Sequence, residues 1–436
     1  MRLAELFTTF FDDEVPVGFV AYDGSSAGPA RPVATLDLRT PEGLRHLIRA
    51  PGELGLARAY VTGGLEVRGD MHAALDGLLT HIRKGASARQ LLRFIPDLGT
   101  QALGRAPVPP EEMVPGWRRG LGRHSKRRDA AAIAHHYDVG NRFYELVLGR
   151  SMTYSCAVFS SPETSLEDAQ REKIDLICRK LDLRPDQRLL DVGAGWGALA
   201  MHAAANYGVR VLGVTLSGEQ AAWAEAAIAN AGLTGRAEVR QLDWRDLRDE
   251  GFDAIASVGA MEHFGLAELG AHFASMSALL RPEGRMLNHC ITRPSSEDSE
   301  RTGPFIDRYV FPDGELESPA MVMGAMHDNG FELRHEESLR EHYAMTLREW
   351  GANLERHWAE AVAAAGERRA RVWRLYMAVS RVGFERGRTQ IHQMLGVRLD
   401  PDGRSGMPLR PDWEPREARS ERPPRRFRRR GSRIRS

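Results

Sequence analysis

Strand-like and helical segments alternate from about residue 131 onward. Apolar runs typical of buried strands occur in RLLDVGAGWG, VRVLGVTLS, AEVRQLDW, FDAIASVGA and GRMLNHCIT, and segments rich in Ala, Glu and Leu separate them. Strands that alternate with helices are joined by right-handed crossovers and form a mostly parallel sheet. The pattern predicts an α/β fold with a doubly wound sheet over residues 131–400, extended by a helical region around Trp350 and Trp373.

The first 105 residues predict a separate, small α/β domain. PVATLDLRT alternates apolar and polar residues like a half-buried strand, and AYVTGGLEVRGD predicts a hairpin around Gly63 and Gly64. Leucines at helical spacing predict a helix between Met71 and Phe94. Residues 106–130 combine prolines, glycines and a basic cluster, a composition typical of a linker.

Composition indicates an ordinary globular protein, with 42% apolar and 27% charged residues. We find no apolar run of the roughly 18 residues that a membrane-spanning helix needs. The N-terminal MRLAELFTTFFDDEVPV lacks the apolar core of a secretory signal, so we expect a cytoplasmic protein. The three widely spaced cysteines predict buried thiols, with neither a disulfide framework nor a metal site.

Residues 401–436 predict a basic, disordered tail. Positions 421–436 hold eight arginines and one glutamate, which leaves the rest of the chain with a net charge of about −6. Such a segment has almost nothing apolar to bury. It is either simply solvated or an electrostatic tether to anionic lipid. No stacking aromatic or reading motif accompanies the charge, so we do not expect nucleic acid as a partner.

A glycine-rich turn, DVGAGWG at 191–197, follows an apolar strand and precedes a helix. Such a turn forms a nucleotide cradle, because glycine lets the backbone approach the ligand. The GxGxG spacing is similar to the first motif of class I methyltransferases, whose ligand is S-adenosylmethionine. Nicotinamide binding, or a turn without a ligand, remains the alternative. The next strand, VLGVTLSGEQ, ends without the usual ribose-binding acid, so Thr215 and Gln220 must supply polar contacts.

Seven motifs together resemble the cyclopropane fatty acid synthase family, including its mycolic acid relatives. They are HYDVGN at 136–141, MTYSC at 152–156, DVGAGWG at 191–197, TLS at 215–217 with Gln220, GAMEHFG at 259–265, FPDG at 311–314 and HY at 342–343. The resemblance covers residues 130–400, and the sequence before them is similar to the phospholipid-acting members. Any one motif is weak, but seven in order at family-like spacing make chance improbable.

The resemblance implies S-adenosylmethionine as cofactor and a bound bicarbonate ion. The implied cofactor contacts are Tyr154, Ser155, Gly193, Ala194, Gly195, Thr215, Leu216, Ser217, Gln220, Asp243 and Trp244. The implied bicarbonate ligands are Cys156, Glu262, His289, Ile291 through its backbone, and Tyr343. Each residue also has an ordinary structural explanation, as a buried thiol, a helix cap or a packed ring. Some family members carry a late-helix cysteine where this chain has Ser380, so we expect no covalent cysteine mechanism.

The implied reaction transfers the sulfonium methyl to the double bond of an unsaturated phospholipid acyl chain. A base then removes a proton from the new methyl, which closes a cyclopropane ring, and bicarbonate suits that role. The alternative is loss of a different proton, giving a methylene-branched chain. Five aromatic residues either line the acyl channel or simply pack: Tyr137, Phe143, Tyr154, Phe159 and Phe264. A non-catalytic lipid-binding module is a third hypothesis.

The same resemblance implies where the protein works. The substrate lies in a bilayer, so we expect peripheral association with the inner face of the membrane. The first domain is expected to contribute to lipid binding and to a homodimer. Acyl length, double-bond position and headgroup leave no trace in the sequence.

Overall fold

Two β-sheets organise the molecule. The computed structural model describes residues 2–83, 104–113, 125–126, 128–129, 139–297 and 302–414. A four-stranded sheet lies in the N-terminal part, and a seven-stranded sheet lies in the part that follows residue 139. The helical additions that we predicted around Trp350 and Trp373 lie in the chain between the last two described strands of the large sheet. The predicted α/β class, with a small α/β unit ahead of a doubly wound sheet, is confirmed.

The N-terminal sheet has the strand order β2-β1-β3-β4. Its strands are β1 (Val17–Ala21), β2 (Ser26–Ala27), β3 (Ala34–Leu38) and β4 (Leu65–Gly69), and its helices are α1 (Leu3–Phe10), α2 (Pro41–Arg49), α3 (Glu53–Val61) and α4 (Met71–Thr80). Side chains that accept backbone N–H groups begin two of the helices: Thr40 caps α2 and Asp70 caps α4. The described part of the predicted Met71–Phe94 helix ends at Thr80, and residues 84–103 lie outside the described ranges.

The hairpin predicted around Gly63 and Gly64 is wrong. Residues 53–61 form helix α3, and the strand that pairs with β4 is β3, which precedes that helix in the chain. The pair Tyr60-Val61 resembles strand sequence but is buried on the helix. Gly64 lies in the turn into β4. A Cβ at this position would lie 2.7 Å from the Gly43 Cα, so the close approach of α2 requires glycine here. Close packing of α2 on this turn therefore decides the local structure.

The large sheet has the order β10-β11-β9-β8-β5-β6-β7. Strands β9, β8, β5, β6 and β7 are parallel to one another, whereas β11 is antiparallel to both of its neighbours. The strands are β5 (Arg188–Val192), β6 (Arg210–Thr215), β7 (Ala237–Gln241), β8 (Phe252–Val258), β9 (Leu280–Thr292), β10 (Glu332–Ser338) and β11 (Gln390–Val397). The parallel strands all end at one edge, where ligands of such folds bind.

Helices cover both faces of this sheet. One face packs against α6 (Leu166–Lys180), α7 (Ala198–Tyr207) and α8 (Gly218–Asn230), and the other packs against α9 (Leu266–Leu279) and α11 (Pro319–Asp328). Side chains alternate between the faces, so Leu189 joins the first core and Leu190 the second. The remaining helices are α5 (Asn141–Leu148), α10 (Pro304–Tyr309), α12 (Arg340–Arg356), α13 (Trp358–Ala365) and α14 (Glu367–Glu385).

A third core joins the two parts of the molecule. It includes apolar residues of the N-terminal unit together with residues of α5, α10, α12 and α14. Glu112, in the segment that we expected to be a linker, is buried between the two parts. Its carboxylate accepts hydrogen bonds from Arg58 of α3, and from Arg308 and Tyr309 of α10. Glu112 therefore joins the N-terminal unit to the part that follows, and we call Glu112 together with these three partners the clamp.

We predicted disorder for the whole of residues 401–436, but the first part, residues 401–414, is described and contacts the rest of the chain. The backbone carbonyl of Trp413 accepts a hydrogen bond from Arg179 of α6 at 2.6 Å, and the Trp413 ring lies 5.5 Å from that of His335. Trp413 anchors the segment because it provides apolar surface that the arginine-rich part lacks. Residues 415–436, with the arginine cluster, lie outside the described ranges. No helix within those ranges is long and apolar enough to cross a bilayer.

Candidate active site

The glycine turn connects the end of β5 to the start of α7. Gly193, Gly195 and Gly197 all have positive φ angles, of 77°, 55° and 81°. The N–H groups of Gly193 and Ala194 donate to the Val214 carbonyl at 2.9 and 3.0 Å, so they hold the turn against β6. A Cβ at Gly193 would lie 2.7 Å from the Ala260 Cβ. Only glycine fits this position without displacing the neighbouring loop.

A cavity opens beside this turn at the carboxyl edge of the sheet. Six of the predicted cofactor residues line it: Gly193, Gly195, Thr215, Leu216, Gln220 and Trp244. The Thr215 hydroxyl donates to the Gln220 side-chain oxygen at 2.7 Å, so the two polar groups that sequence reasoning singled out are paired at the wall. Ser217 instead caps helix α8, where its hydroxyl accepts the Gln220 N–H. Its role in the structure is to begin that helix.

Asp243 and Trp244 follow β7 and differ in what they offer a ligand. The Asp243 carboxylate accepts hydrogen bonds from the Arg245 backbone and guanidinium, and that guanidinium also binds Asp129. Trp244 packs against Phe264 and His272, with ring centroids 5.5 and 4.7 Å away. The ring therefore forms one wall of the cavity, while the carboxylate is already engaged by an arginine.

Glu262 lies in a short 3₁₀ turn just after β8. One carboxylate oxygen accepts the Ile291 N–H at 2.6 Å, whereas the other is buried with no hydrogen-bond partner among the described residues. Burial raises the pKa of Glu262 to about 7, although the Ile291 N–H opposes this shift. The resemblance assigned the Ile291 backbone to the anion, and in the structure its N–H is directed at Glu262.

His289 lies two residues before Ile291 on β9 and is fully buried. Its Nδ1 is 3.1 Å from the Gln393 side-chain nitrogen, and its Nε2 has no partner within the described part of the chain. Burial lowers the pKa of His289 well below its ordinary value, and the Lys173 and Lys180 charges lower it further. The imidazole is therefore neutral at physiological pH.

Cys156 and Tyr343 meet at the start of helix α12. The Leu339 carbonyl, which begins this helix, accepts both the Tyr343 N–H at 3.1 Å and the Cys156 thiol at 3.7 Å. Burial raises the pKa of the Cys156 thiol, so it stays protonated and can only donate a weak hydrogen bond. The Tyr343 ring packs against Phe384, with centroids 4.6 Å apart.

Tyr154 and Ser155 precede Cys156 and do not line the cavity beside the glycine turn. The Tyr154 ring lies among Tyr144, Trp350 and Trp373, with centroids 5.3–5.9 Å away, and its hydroxyl donates to that of Tyr376. Of the other proposed channel aromatics, Phe143 packs on Trp373, Phe159 stacks on His342 and Phe264 borders the cavity. Tyr137 lies outside the described residues.

Lys173 is a central residue that sequence reasoning missed. It is buried on α6, and its ammonium donates to the Ser155 hydroxyl at 2.8 Å. Burial lowers its pKa to about 8, and it interacts electrostatically with Cys156, Asp191 and His289. It therefore links the Cys156 end of the site to the His289 end. A polar pair, Gln170 and Lys173, on the buried face of an amphipathic helix was the signal available in the sequence.

Tyr376 and Ser380 of α14 were also missed as a pair. A hydrogen bond joins their side chains, and the Tyr376 hydroxyl accepts that of Tyr154. Burial raises the pKa of Tyr376 to about 12, and Glu262 contributes to this shift. Ser380 therefore belongs to a network that reaches the site.

Comparison with known proteins identifies the family. Residues 124–394 match the family described as Mycolic acid cyclopropane synthetase. A "Probable fatty acid methyltransferase Rv3720" of Mycobacterium tuberculosis is 49% identical over 422 residues, which cover 95% of this chain and 98% of that protein. "Tuberculostearic acid methyltransferase UfaA1" of the same organism is 31% identical over 399 residues, 89% of each chain.

Solved structures of cyclopropane synthases match a smaller share of the chain. A crystal structure of mycolic acid cyclopropane synthase CmaA1 complexed with SAH and CTAB superposes with a TM-score of 0.58 at 36% identity, covering 61% of this chain and 97% of that one. Since the match to the family spans more than half of the chain, we conclude that the chain belongs to the mycolic acid cyclopropane synthetase family of S-adenosylmethionine-dependent methyltransferases.

Proposed function

We propose that the enzyme closes a cyclopropane ring on the double bond of an unsaturated phospholipid acyl chain, with bicarbonate as the base. One observation carries the proposal. An oxygen of Glu262 and Nε2 of His289 are both buried without a hydrogen-bond partner among the described residues, and the two residues lie toward the ends of adjacent parallel strands. Buried polar groups are ordinarily paired, so an unpaired acceptor and an unpaired imidazole nitrogen point to a small polar ligand.

Bicarbonate fits this set of groups because it is both an anion and a hydroxyl donor. The Glu262 oxygen can accept its hydroxyl proton, while a neutral imidazole can donate to its oxygens, as can the Cys156 thiol once it turns away from the Leu339 carbonyl. The Lys173 charge interacts with both Cys156 and His289, which favours an anion there. Bicarbonate would supply a modest base near the reacting carbon.

S-adenosylmethionine fits the cavity beside the glycine turn. Gly193 and Gly195 have no side chain, so their backbone can contact the cofactor. Thr215 and Gln220 provide polar groups in the cavity wall, and the Trp244 ring provides a flat apolar surface. The cofactor would contribute an electrophilic methyl. The chain itself must exclude water and hold the double bond close to that methyl. The rings around Tyr154 suit this task, because aromatic faces stabilise the positive charge that develops on the acyl chain.

The choice of substrate rests on the chain's relatives and on its N-terminal part. The two relatives that match this chain over 89–95% of its length are named as fatty acid and tuberculostearic acid methyltransferases, whereas the family match begins at residue 124 and leaves the N-terminal unit outside it. We assign that unit to phospholipid binding and to a homodimer at the membrane surface. The name of UfaA1 also keeps the methylene-branched product as a second candidate.

Lipid analysis separates the two products. Purified enzyme, S-adenosylmethionine and vesicles of monounsaturated phospholipid are incubated with and without added bicarbonate, and the lipid is extracted. We expect a mass gain of one CH₂ and the upfield proton NMR signals of a cyclopropane ring. Vinylidene proton signals at the same mass would establish the methylene-branched alternative, and no mass gain would overturn the proposal.

Alanine at two glycines tests the cofactor cavity. Gly193→Ala should lower both the stability of the apoprotein and the affinity for S-adenosylhomocysteine, because its Cβ meets Ala260 and its φ is positive. Gly195→Ala meets no protein atom within 4 Å but shares the positive φ, so its stability loss should be the smaller of the two, while its Cβ should still reduce ligand affinity. We expect at least a tenfold loss of affinity in both, because each new Cβ lies in the wall of the cavity and a tenfold loss corresponds to about 1.4 kcal/mol of lost contact with the ligand. Calorimetric titration and thermal unfolding measure the two effects, and equal stability losses would contradict the distinction.

A further inference from the structure

A row of polar side chains crosses three strands behind His289. The strand registers pair Glu337 of β10 with Gln393 of β11, and Gln393 with His289 of β9. Lys180, the last residue of α6, reaches this row, and its ammonium donates to the Glu337 carboxylate and, at 2.7 Å, to the Gln393 side-chain oxygen. Lys180, Gln393 and His289 are fully buried.

This row interrupts an apolar face. Leu395 on β11 and Leu287 on β9 lie two residues from Gln393 and His289 on the same side of the sheet, and both belong to the core against α6. A glutamine in that setting costs stability unless all its hydrogen bonds are made. Its position between a lysine and a site histidine therefore calls for a functional explanation.

The partners of Gln393 define which way its amide faces. A lysine ammonium can only donate, so the amide oxygen must face Lys180. The amide NH₂ group then faces His289 Nδ1 at 3.1 Å. Because NH₂ donates, Nδ1 must accept with its lone pair. The network thus assigns the proton of the neutral imidazole to Nε2, the buried nitrogen without a partner among the described residues.

We propose that Gln393 and Lys180 are positioning residues that hold His289 in the Nε2–H tautomer, so that the ring donates a hydrogen bond to the anionic base. The inference rests on the proposed function, which supplies that anion. The other tautomer would present a lone pair to the anion and repel it. A ring nitrogen is commonly oriented in this way by what its other nitrogen binds.

Replacing Gln393 by glutamate inverts the assignment. A carboxylate only accepts, so Gln393→Glu should move the imidazole proton to Nδ1, while Lys180 still pairs with the new charge. We expect the KM for bicarbonate to rise about 10- to 100-fold, since a hydrogen bond to a charged group is replaced by repulsion. The affinity for S-adenosylhomocysteine should stay unchanged. Gln393→Met adds no charge and fixes neither tautomer, so it should raise the KM for bicarbonate by a smaller factor. It also provides a second test of the proposal if Gln393→Glu does not fold.

The matched control is Gln390→Glu, the same substitution at the start of β11, where the register partner is Thr292. Its bicarbonate KM should equal that of the wild type. NMR of ¹⁵N-histidine-labelled protein reads the tautomer directly, with the His289 signals identified through His289→Gln. Exchanged chemical shifts of the two ring nitrogens in Gln393→Glu are expected in the apoprotein.

Unchanged ring nitrogens in Gln393→Glu would overturn the positioning role, whatever the kinetics show. Exchanged nitrogens with an unaltered bicarbonate KM would overturn the link between tautomer and anion. Wild-type turnover that does not depend on bicarbonate, measured in carbonate-depleted buffer, would instead reject the base in the proposed function. The failure of either idea is therefore recognisable on its own.

Discussion

Replacing Glu262 by glutamine should reduce turnover by about 100-fold or more, because the acceptor that seats the base is lost. One side-chain oxygen still accepts the Ile291 N–H, so the turn after β8 keeps its shape. Affinity for S-adenosylhomocysteine should be unchanged, because Glu262 does not line the cavity beside the glycine turn. Turnover and calorimetric titration measure the two effects.

The same variant should be more stable than the wild type at high pH. Burial raises the pKa of Glu262 from 4.5 to about 7, so the folded protein binds this proton more tightly than the unfolded chain. The wild type therefore loses stability as pH rises from about 4.5 to 7, by as much as about 3 kcal/mol, and glutamine loses none. Above pH 7 the difference should be constant.

Denaturant unfolding of ligand-free protein at pH 5 and pH 8 checks this window. The exposed Glu225→Gln on α8 serves as the control and should behave like the wild type at both values. An active Glu262→Gln enzyme would reject the assignment of the site. A variant that loses activity but gains no stability at pH 8 would show that other groups stabilise the ionised Glu262 carboxylate in the folded wild type.

Local sequence patterns were sufficient to predict the large sheet and its glycine turn, whereas the acid after β8 and the histidine on β9 were named through the family resemblance. The GxGxG turn, the acid after β8 and the histidine near the end of β9 all lie at the ends of parallel strands, and the topology alone brings such positions to one edge. The strands themselves were recognisable as short apolar runs between helical segments. This level of the fold depends on periodicity, which a single sequence displays.

Long-range pairings were not predictable in the same way. Gln393 reaches His289 because β11, the last strand of the described residues, inserts antiparallel between β9 and β10. Lys173 and Tyr376 lie in helices whose apolar periodicity predicts only a buried face. Nothing local indicates which strand or helix such a polar residue will meet. The incorrect hairpin at Gly63 has the same origin, since the partner of β4 precedes α3.

The clamp between the two parts of the molecule was hidden for a related reason. Residues 106–113 have the composition of a flexible linker, rich in proline and acid, yet Glu112 is among the most buried carboxylates of the described chain. Although burial raises it, hydrogen bonds from Arg58 and Arg308 keep the pKa of Glu112 below its ordinary value. Its partners come from α3 and α10, about 50 residues before it and about 200 after it.

Substituting alanine for Glu112 should destabilise the protein by about 3 kcal/mol or more at pH 7, because it leaves the Arg58 and Arg308 guanidinium groups without their shared carboxylate in a largely buried place. The ionised Glu112 is favoured when folded, so the wild type itself should lose this stabilisation only as pH falls below about 4.5. Denaturant unfolding followed by hydrogen exchange locates the loss.

Exchange should increase first in α3 and α10, which the clamp joins, and the parallel strands of the large sheet should keep their protection. Glu145→Ala provides the matched control, since that carboxylate pairs with the exposed Arg142 and should contribute no more than about 0.5 kcal/mol. A loss in Glu112→Ala as small as in this control would mean that apolar contacts, and not the shared carboxylate, hold the N-terminal unit on the catalytic part. A large loss of stability with a uniform increase in hydrogen exchange would mean that the two parts unfold as one unit. The apolar core that they share provides a physical reason for such behaviour.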